Sequence, residues 1–163
     1  MALVLWEGGH THLWHQVVPS KYGEGNGGWY TRVVRGTHGC GMWKNIRKGV
    51  RSFFVHVLYA AGKGFRIWFW HDPWSSPTHL KELYPELFAC AVDKEARIFD
   101  MVDIALDGGD RSWNLLFHHE FQDWETARFY GFIAHISSKI PVGGDDTMVW
   151  QLNHSGVFDV RSF

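Results

Sequence analysis

Three histidines near the start of the chain have a spacing that could suit a metal ion. The segment reads HTHLWH and contains His10, His12 and His15. On a helix His12 and His15 would share a face, and on a strand His10 and His12 would, but neither conformation gathers all three. No nearby cysteine completes a zinc ligand set. We therefore interpret the three as exposed polar positions and predict no bound metal and no other cofactor.

Two further segments contain parts of catalytic motifs. His118–Glu120 could begin a metalloprotease helix, but the H-E-x-x-H pattern would need a histidine at position 123, which is Asp123. Gly144–Asp146 matches the Gly-Asp-Asp box of some polymerases, in which two carboxylates at a hairpin tip hold two metal ions. Here the carboxylates follow Pro141 in a glycine-containing linker, and no third carboxylate accompanies them. We predict a solvated loop at Gly144–Asp146 and no catalytic residue in either segment.

A basic and aromatic constellation in the first half of the chain has the composition of a nucleic-acid contact. Lysine and arginine neutralise phosphates, and aromatic planes stack on unpaired bases. The alternative is that the tryptophans are core residues coated by charge, because ten tryptophans in 163 residues must mostly be buried. The residues predicted to contact nucleic acid are Lys44, Arg47, Lys48, Arg51, Arg66 and Trp68.

The elements that would position these residues centre on the stretch Gly62–Trp74, which reads GKGFRIWFWHDPW. Residues 54–61 are apolar enough for a strand, Gly62 and Gly64 have turn composition, and residues 65–70 alternate with period 2. Asp72-Pro73 would stop the second strand, because proline cannot donate to a ladder. We predict a β-hairpin over about 54–70, with Trp70 as a core anchor.

The remaining pattern predicts helices and a second hairpin. Helical spacing favours a helix over about 42–51 with the basic residues mostly on the face opposite its apolar stripe. It also favours a short helix over 80–88 interrupted at Pro85, and a long helix over about 119–140. Alternation around Trp150 and a turn at Ser155-Gly156 predict a hairpin over about 147–160. The predicted fold class is α+β, as a helix-rich single region.

Composition limits the class of protein. A hydrophobic content of 45% excludes a disordered chain, and no apolar run approaches the roughly 18 residues of a membrane span. Residues 1–80 carry nine lysines or arginines and three acids, whereas residues 81–163 carry seven and fourteen. The basic half is therefore the expected face for RNA or DNA. Two isolated cysteines, Cys40 and Cys90, fit a reducing intracellular compartment, nucleus or cytoplasm.

Several of these motifs together resemble plant LINE-type (non-LTR) retrotransposon reverse transcriptases, over about residues 12–163. The most specific part is the set Trp70, Asp72 and Trp74 after the glycine turn, although Lys63 stands where asparagine is expected. The other matching residues are Leu13–Val17, Ser20–Gly23, Trp43–Ile46, Leu83–Phe88, Trp113, Val149-Trp150 and Gly156–Val160. The matching region of those polyproteins connects the polymerase domain to a C-terminal zinc-binding domain.

The resemblance implies a non-catalytic fragment of such a polyprotein. Residues 1–145 would be connector and residues 146–163 the start of a truncated zinc-binding domain. The polymerase palm would precede residue 1 and the zinc ligands would follow Phe163, so the chain is not expected to be an enzyme. It would pack between polymerase and zinc-binding domains and make weak nucleic-acid contact. Its expected partners are RNA or DNA and the rest of the polyprotein, with no membrane.

Two other classes remain open from the residues alone. A free-standing binding module would use exposed tryptophans for a protein or carbohydrate partner. A metal-dependent hydrolase would need three histidine or acidic side chains to converge. Exposure of Trp68 and Trp70 beside Arg66 would instead favour nucleic acid.

Overall fold

The computed structural model describes residues 20, 23, 25–30, 50–104, 110–118, 123–158 and 161. Within them the helices are α1 (Val50–Phe54), α2 (Leu80–Leu83), α3 (Pro85–Cys90) and α4 (Asp123–Ser137). The strands are β1 (Val57–Ala60), β2 (Val102–Ile104), β3 (Arg111–Trp113) and β4 (Thr147–Trp150). Short 3-10 turns occur at Asn26–Gly28 and Phe99–Met101. The predicted α+β class is confirmed, and no helix in this part of the chain is long and apolar enough to cross a membrane.

Two of the predicted helices, those over 80–88 and 119–140, occur where apolar residues repeat at helical spacing, whereas the one in the basic segment falls largely outside the described residues. The long helix is α4, which ends at Ser137, before the predicted end at 140; residues 119–122, where the prediction begins, lie outside the described residues. The interruption predicted at Pro85 divides α2 from α3, with Pro85 in the first turn of α3. Proline is tolerated there because the first amide of a helix has no partner within the helix.

The strands pair differently from the prediction. β1 pairs with β4, and β2 pairs antiparallel with β3, with Val102 opposite Trp113 and Ile104 opposite Arg111. Each of the two predicted hairpins, 54–70 and 147–160, therefore supplies one strand to the same two-stranded sheet. The hairpin pairings themselves are wrong.

The reason for the first error lies in the backbone amides after β1. The N–H groups of Gly62, Gly64 and Arg66 donate to the Asp146 carboxylate, and that of Trp68 donates to the Asp72 carboxylate. These alternate amides would have bonded to a neighbouring strand in a hairpin. Two carboxylates take the place of that strand.

The second error has a local cause. After β4 the chain curls through residues 151–158, with the Asn153 side chain donating to the Val157 carbonyl and the Ser155 hydroxyl bonding to Asn153. Such side-chain bonds compete with a regular ladder. Within the described residues no strand returns along β4; residues 159 and 160 lie outside them.

The chain forms two compact units where a single region was predicted. The terminal unit comprises Met1–Leu58 and Met148–Phe163, and the central unit comprises Tyr59–Thr147. In the terminal unit Phe53 stacks on Trp150 with ring centroids 4.9 Å apart, and Phe158 packs edge-on against both rings. The predicted boundary at residues 145 and 146 concerns the parent polyprotein and stays a prediction.

The central unit has its own aromatic core. Trp70 stacks on Phe132 of α4 with ring planes 6° apart and centroids at 5.5 Å. Phe69 packs edge-on against Trp70, Phe132 and Trp113. These contacts join the Gly62–Trp74 stretch to α4 and β3. Ile67, Leu80, Ile98 and Ile136, all buried, complete the core.

Candidate nucleic-acid interface

Only part of the predicted contact set can be located. Lys44, Arg47 and Lys48 and the side chain of Arg51 lie outside the described residues. Arg66 and Trp68 are both half-buried in the central unit. The clustering of the first four with the last two therefore stays a prediction.

Arg66 and Trp68 lie in a two-stranded ribbon whose second segment was not predicted. The amides of Phe99, Ile98 and Phe69 donate to the carbonyls of Gly64, Ile67 and Ala96 at 3.0–3.1 Å. Trp68 and Arg97 form an antiparallel bridge between the two segments. We call this feature, residues 64–69 with 96–99, the ribbon. Its apolar side chains Ile67, Phe69, Ala96 and Ile98 are buried.

Arg97 brings a cation to the tryptophan predicted to stack. Its guanidinium carbon lies 3.9 Å from the centroid of a Trp68 ring, and its Nη1 donates to the Arg66 carbonyl at 2.9 Å. A guanidinium held over an indole in this way makes a cation–π contact. The structure thus places Arg66, Trp68 and Arg97 together, although 29 positions separate Trp68 from Arg97 in the sequence.

An exposed aromatic pair stands on the same ribbon. Phe65 is 53% exposed and Phe99 43% exposed, and their ring centroids are 4.1 Å apart with planes inclined by 34°. Phenylalanines at ordinary core positions are far more buried than this. Sequence reasoning included Phe65 in the central strand and gave Phe99 no part in the contact set.

Trp70 does not belong to this surface. It is 1% exposed, and its indole Nε1–H has no hydrogen-bond acceptor among the residues that the structure describes. The prediction that Trp70 is a core anchor is confirmed, so the exposure of Trp70 that would favour nucleic acid is not observed.

The turn from Trp68 to Trp74 is closed by its own hydrogen bonds. The Asp72 amide donates to the Trp68 carbonyl at 3.2 Å, while the Trp68 amide donates to Asp72 Oδ2 at 2.8 Å. The indole Nε1–H of Trp74 donates to the Phe69 carbonyl at 2.8 Å. Burial raises the pKa of the Asp72 carboxyl, and the Trp68 amide and the positive charge of Arg97 offset only part of that effect.

Asp145 and Asp146 have different environments, and the prediction of a solvated loop is wrong for Asp146. Asp145 is exposed, whereas Asp146 is 7% exposed. Asp146 Oδ1 accepts the amides of Gly62 and Gly64 at 2.9 and 2.7 Å, and Oδ2 accepts the amide of Arg66 at 2.9 Å. Burial is favourable here because three donors replace water around the charge.

The glycines beside this carboxylate are required by close approach. A Cβ at Gly62 would lie 2.4 Å from the Asp145 carbonyl oxygen. Gly64 has φ of +81°, and a Cβ there would lie 2.7 Å from the Phe99 amide nitrogen. Gly62 and Gly64, which predicted a hairpin turn, are therefore needed instead for the close approach of the Asp145-Asp146 segment and of the second segment of the ribbon.

The histidines of the described region do not assemble a metal site. His71 Nδ1 accepts from Lys81 Nζ at 3.1 Å, because an ammonium can only donate. Its Nε2 then carries the proton and faces the Lys94 carbonyl at 3.0 Å and Glu95 Oε1 at 3.1 Å. Among the residues that the structure describes, no group of three histidine, cysteine or acidic side chains could hold a metal ion. His10, His12, His15 and His119 lie outside them.

Comparison with protein-family models, with curated proteins and with solved structures found no match to this chain.

Proposed function

We propose that the chain is a non-catalytic fragment of a non-LTR retrotransposon reverse transcriptase polyprotein, which packs between the polymerase and zinc-binding domains. The proposal rests on the structural role of Trp70, Asp72 and Trp74, the motif most specific to the family that the chain resembles. Trp70 fills the central core, Asp72 closes the turn, and Trp74 bonds back to Phe69. A motif whose side chains are all engaged inside the molecule serves architecture.

The arrangement of the paired aspartates also supports a non-catalytic role. Two-metal phosphoryl transfer needs carboxylate oxygens that can bind metal ions. Both Asp146 oxygens already accept backbone amides. Asp145 alone projects to solvent, so the pair cannot act together in this conformation.

We further propose that the chain works in a reducing intracellular compartment, the nucleus or cytoplasm, where its nucleic-acid partners occur. The cysteine content supports this proposal, because two isolated thiols provide no disulfide framework.

Two measurements test the proposed function. The purified chain should not incorporate nucleotides on a primed RNA template with Mg²⁺ or Mn²⁺. Incorporation that disappears in Asp145→Ala/Asp146→Ala would contradict the non-catalytic assignment. A tagged chain should also retain the recombinant polymerase domain of a plant LINE element and not that of a retrovirus. Equal retention of both domains, or of neither, would contradict the assigned origin.

The second candidate, a binding module with exposed tryptophans, has less support. Of the six tryptophans whose side chains are described, Trp29, Trp70, Trp74 and Trp150 are buried. Trp68 and Trp113 are half-buried. The exposed large aromatic side chains of the described region are Phe65, Phe99 and Tyr130.

A further inference from the structure

The ribbon exposes two large apolar rings to solvent, and its charged side chains are both arginines. Phe65 and Phe99 are exposed as a contacting pair, although burying two such rings would stabilise the fold. Backbone hydrogen bonds and buried aliphatic side chains fix the position of the rest of the ribbon. The exposed pair is therefore held on a fixed support.

The charges of the ribbon are of one sign. Its ten residues include Arg66 and Arg97 and no acid, and the exposed Lys63 precedes it directly. Two acids flank the second segment, and both have partners. Asp100 Oδ2 accepts the Arg97 amide at 3.0 Å, and Glu95 Oε1 lies 3.1 Å from His71 Nε2. Asp72 and Asp146 also accept amides of the ribbon, Asp146 from a buried position. The cations that could meet phosphates are therefore Lys63, Arg66 and Arg97, with these four carboxylates around them.

We propose that the ribbon is a stacking platform for single-stranded nucleic acid. Unpaired bases would stack on Phe65 and Phe99, and Lys63, Arg66 and Arg97 would neutralise neighbouring phosphates. This inference rests on the proposed function and names the surface for its nucleic-acid contact. It keeps Arg66 and Trp68 from the sequence-predicted set and adds Lys63, Phe65, Arg97 and Phe99.

The chemistry selects a single strand over a duplex. Stacking needs base faces, which paired strands cover, and contacts between bases and aromatic rings tolerate any sequence. Arg97 over Trp68 adds a planar cation to the surface. Binding should therefore be weak, little dependent on sequence and sensitive to salt. Three phosphate contacts predict a slope of log affinity against log salt of about −2.

The test is a fluorescence-anisotropy titration of the full chain with labelled 20-nucleotide oligo(U), oligo(dT) and a DNA duplex, at about 50 and 200 mM salt. The decisive variant is Phe65→Leu/Phe99→Leu, which keeps apolar bulk and removes both rings. We expect it to weaken binding to both single strands about tenfold or more, since each stacked base contributes a factor of this order. Its melting temperature should stay near that of the wild type, which distinguishes lost stacking from unfolding.

Two further variants separate the ribbon from the rest of the surface. Arg97→Gln should weaken binding and flatten the salt slope by about one contact. Tyr130→Ala removes an exposed ring from α4 and should leave the affinity unchanged. Matching losses in Tyr130→Ala and in the leucine variant would show that the ribbon has no special role and would overturn the proposal.

Other outcomes also overturn it. These are no binding of either single strand at about 50 mM salt, equal or tighter binding of the duplex, or full affinity in the leucine variant. Loss of polymerase-domain retention in the leucine variant, with oligonucleotide binding intact, would make the ribbon a protein interface. The proposed origin is judged separately by that retention in the wild-type chain, so the two proposals can fail independently.

Discussion

Phe65 and Trp70 stand five residues apart, yet one is 53% exposed and the other 1% exposed. The turn Trp68–Trp74 directs the Trp70 ring against Phe132 and the Trp74 indole N–H to the Phe69 carbonyl. The ribbon directs Phe65 and Phe99 to solvent beside Arg66 and Arg97. One aromatic stretch thus supplies both the core of the central unit and a candidate binding surface. Aromatic content alone does not show whether a given ring packs in the core or lies on the surface.

The largest expected effect comes from removing the inward ring. Trp70→Ala should lower the free energy of unfolding by about 3–5 kcal/mol, because it empties a buried site stacked on Phe132. Trp70→Phe is the matched control and should cost much less, since it keeps a stacked ring and loses an indole N–H that has no acceptor in the described region. Urea unfolding followed by circular dichroism measures both. An unchanged melting temperature in Trp70→Ala would place this ring on the surface.

A smaller loss is expected where the ribbon needs glycine. Gly64→Ala should destabilise the chain by about 1–3 kcal/mol, because its φ is +81° and the new Cβ would press on Phe99 and Ile98. Gly131→Ala is the control within α4, where an added Cβ meets no atom within 4 Å. It should stabilise the helix by about 0.5–1 kcal/mol. If thermal unfolding showed equal effects at both positions, the close approach at Gly64 would be refuted.

The smallest expected effect is a pH dependence at Asp72. Burial raises the folded-state pKa of this carboxyl above 3.8, so ionisation weakens the folded state. The stability it contributes is complete below the unfolded-state pKa and is lost as the pH rises through the folded-state pKa. Asp72→Asn keeps an acceptor for the Trp68 amide and removes the charge.

The asparagine variant should therefore gain stability relative to the wild type between about pH 4 and pH 8, as measured by urea unfolding at both values. Asp72→Ala is the contrasting variant and should cost about 1–3 kcal/mol at either pH, since it leaves the Trp68 amide without its acceptor. A relative stability of Asp72→Asn that falls with pH would reverse the assigned direction.

Sequence periodicity predicted the elements better than their pairings. The helices on either side of Pro85, α4, and the strands β1 and β4 all follow from local apolar spacing. The pairing of β1 with β4 and the Asp146 contacts do not, because Asp146 lies 80–84 positions from its partners and the two strands begin 90 positions apart. A carboxylate that takes the place of a strand produces no periodic pattern in the sequence. The glycines around Asp146 therefore predict only a solvated loop. Distant pairing also hid half of the candidate site. Arg66 and Trp68 lie in the central stretch and could be predicted, whereas Arg97 and Phe99 come close to them only because the two segments of the ribbon pair.

Two carboxylates, Asp146 and Asp72, hold the backbone from Gly62 to Trp68, and the conformation of this segment depends most on them. Amide hydrogen exchange followed by NMR tests these contacts directly. The N–H groups of Gly62, Gly64, Arg66 and Trp68 should exchange slowly in the wild-type chain. Asp146→Ala should release the first three and leave Trp68 protected, and Asp72→Ala should release Trp68 and leave the first three protected. Fast exchange of all four amides in the wild-type chain would contradict the account.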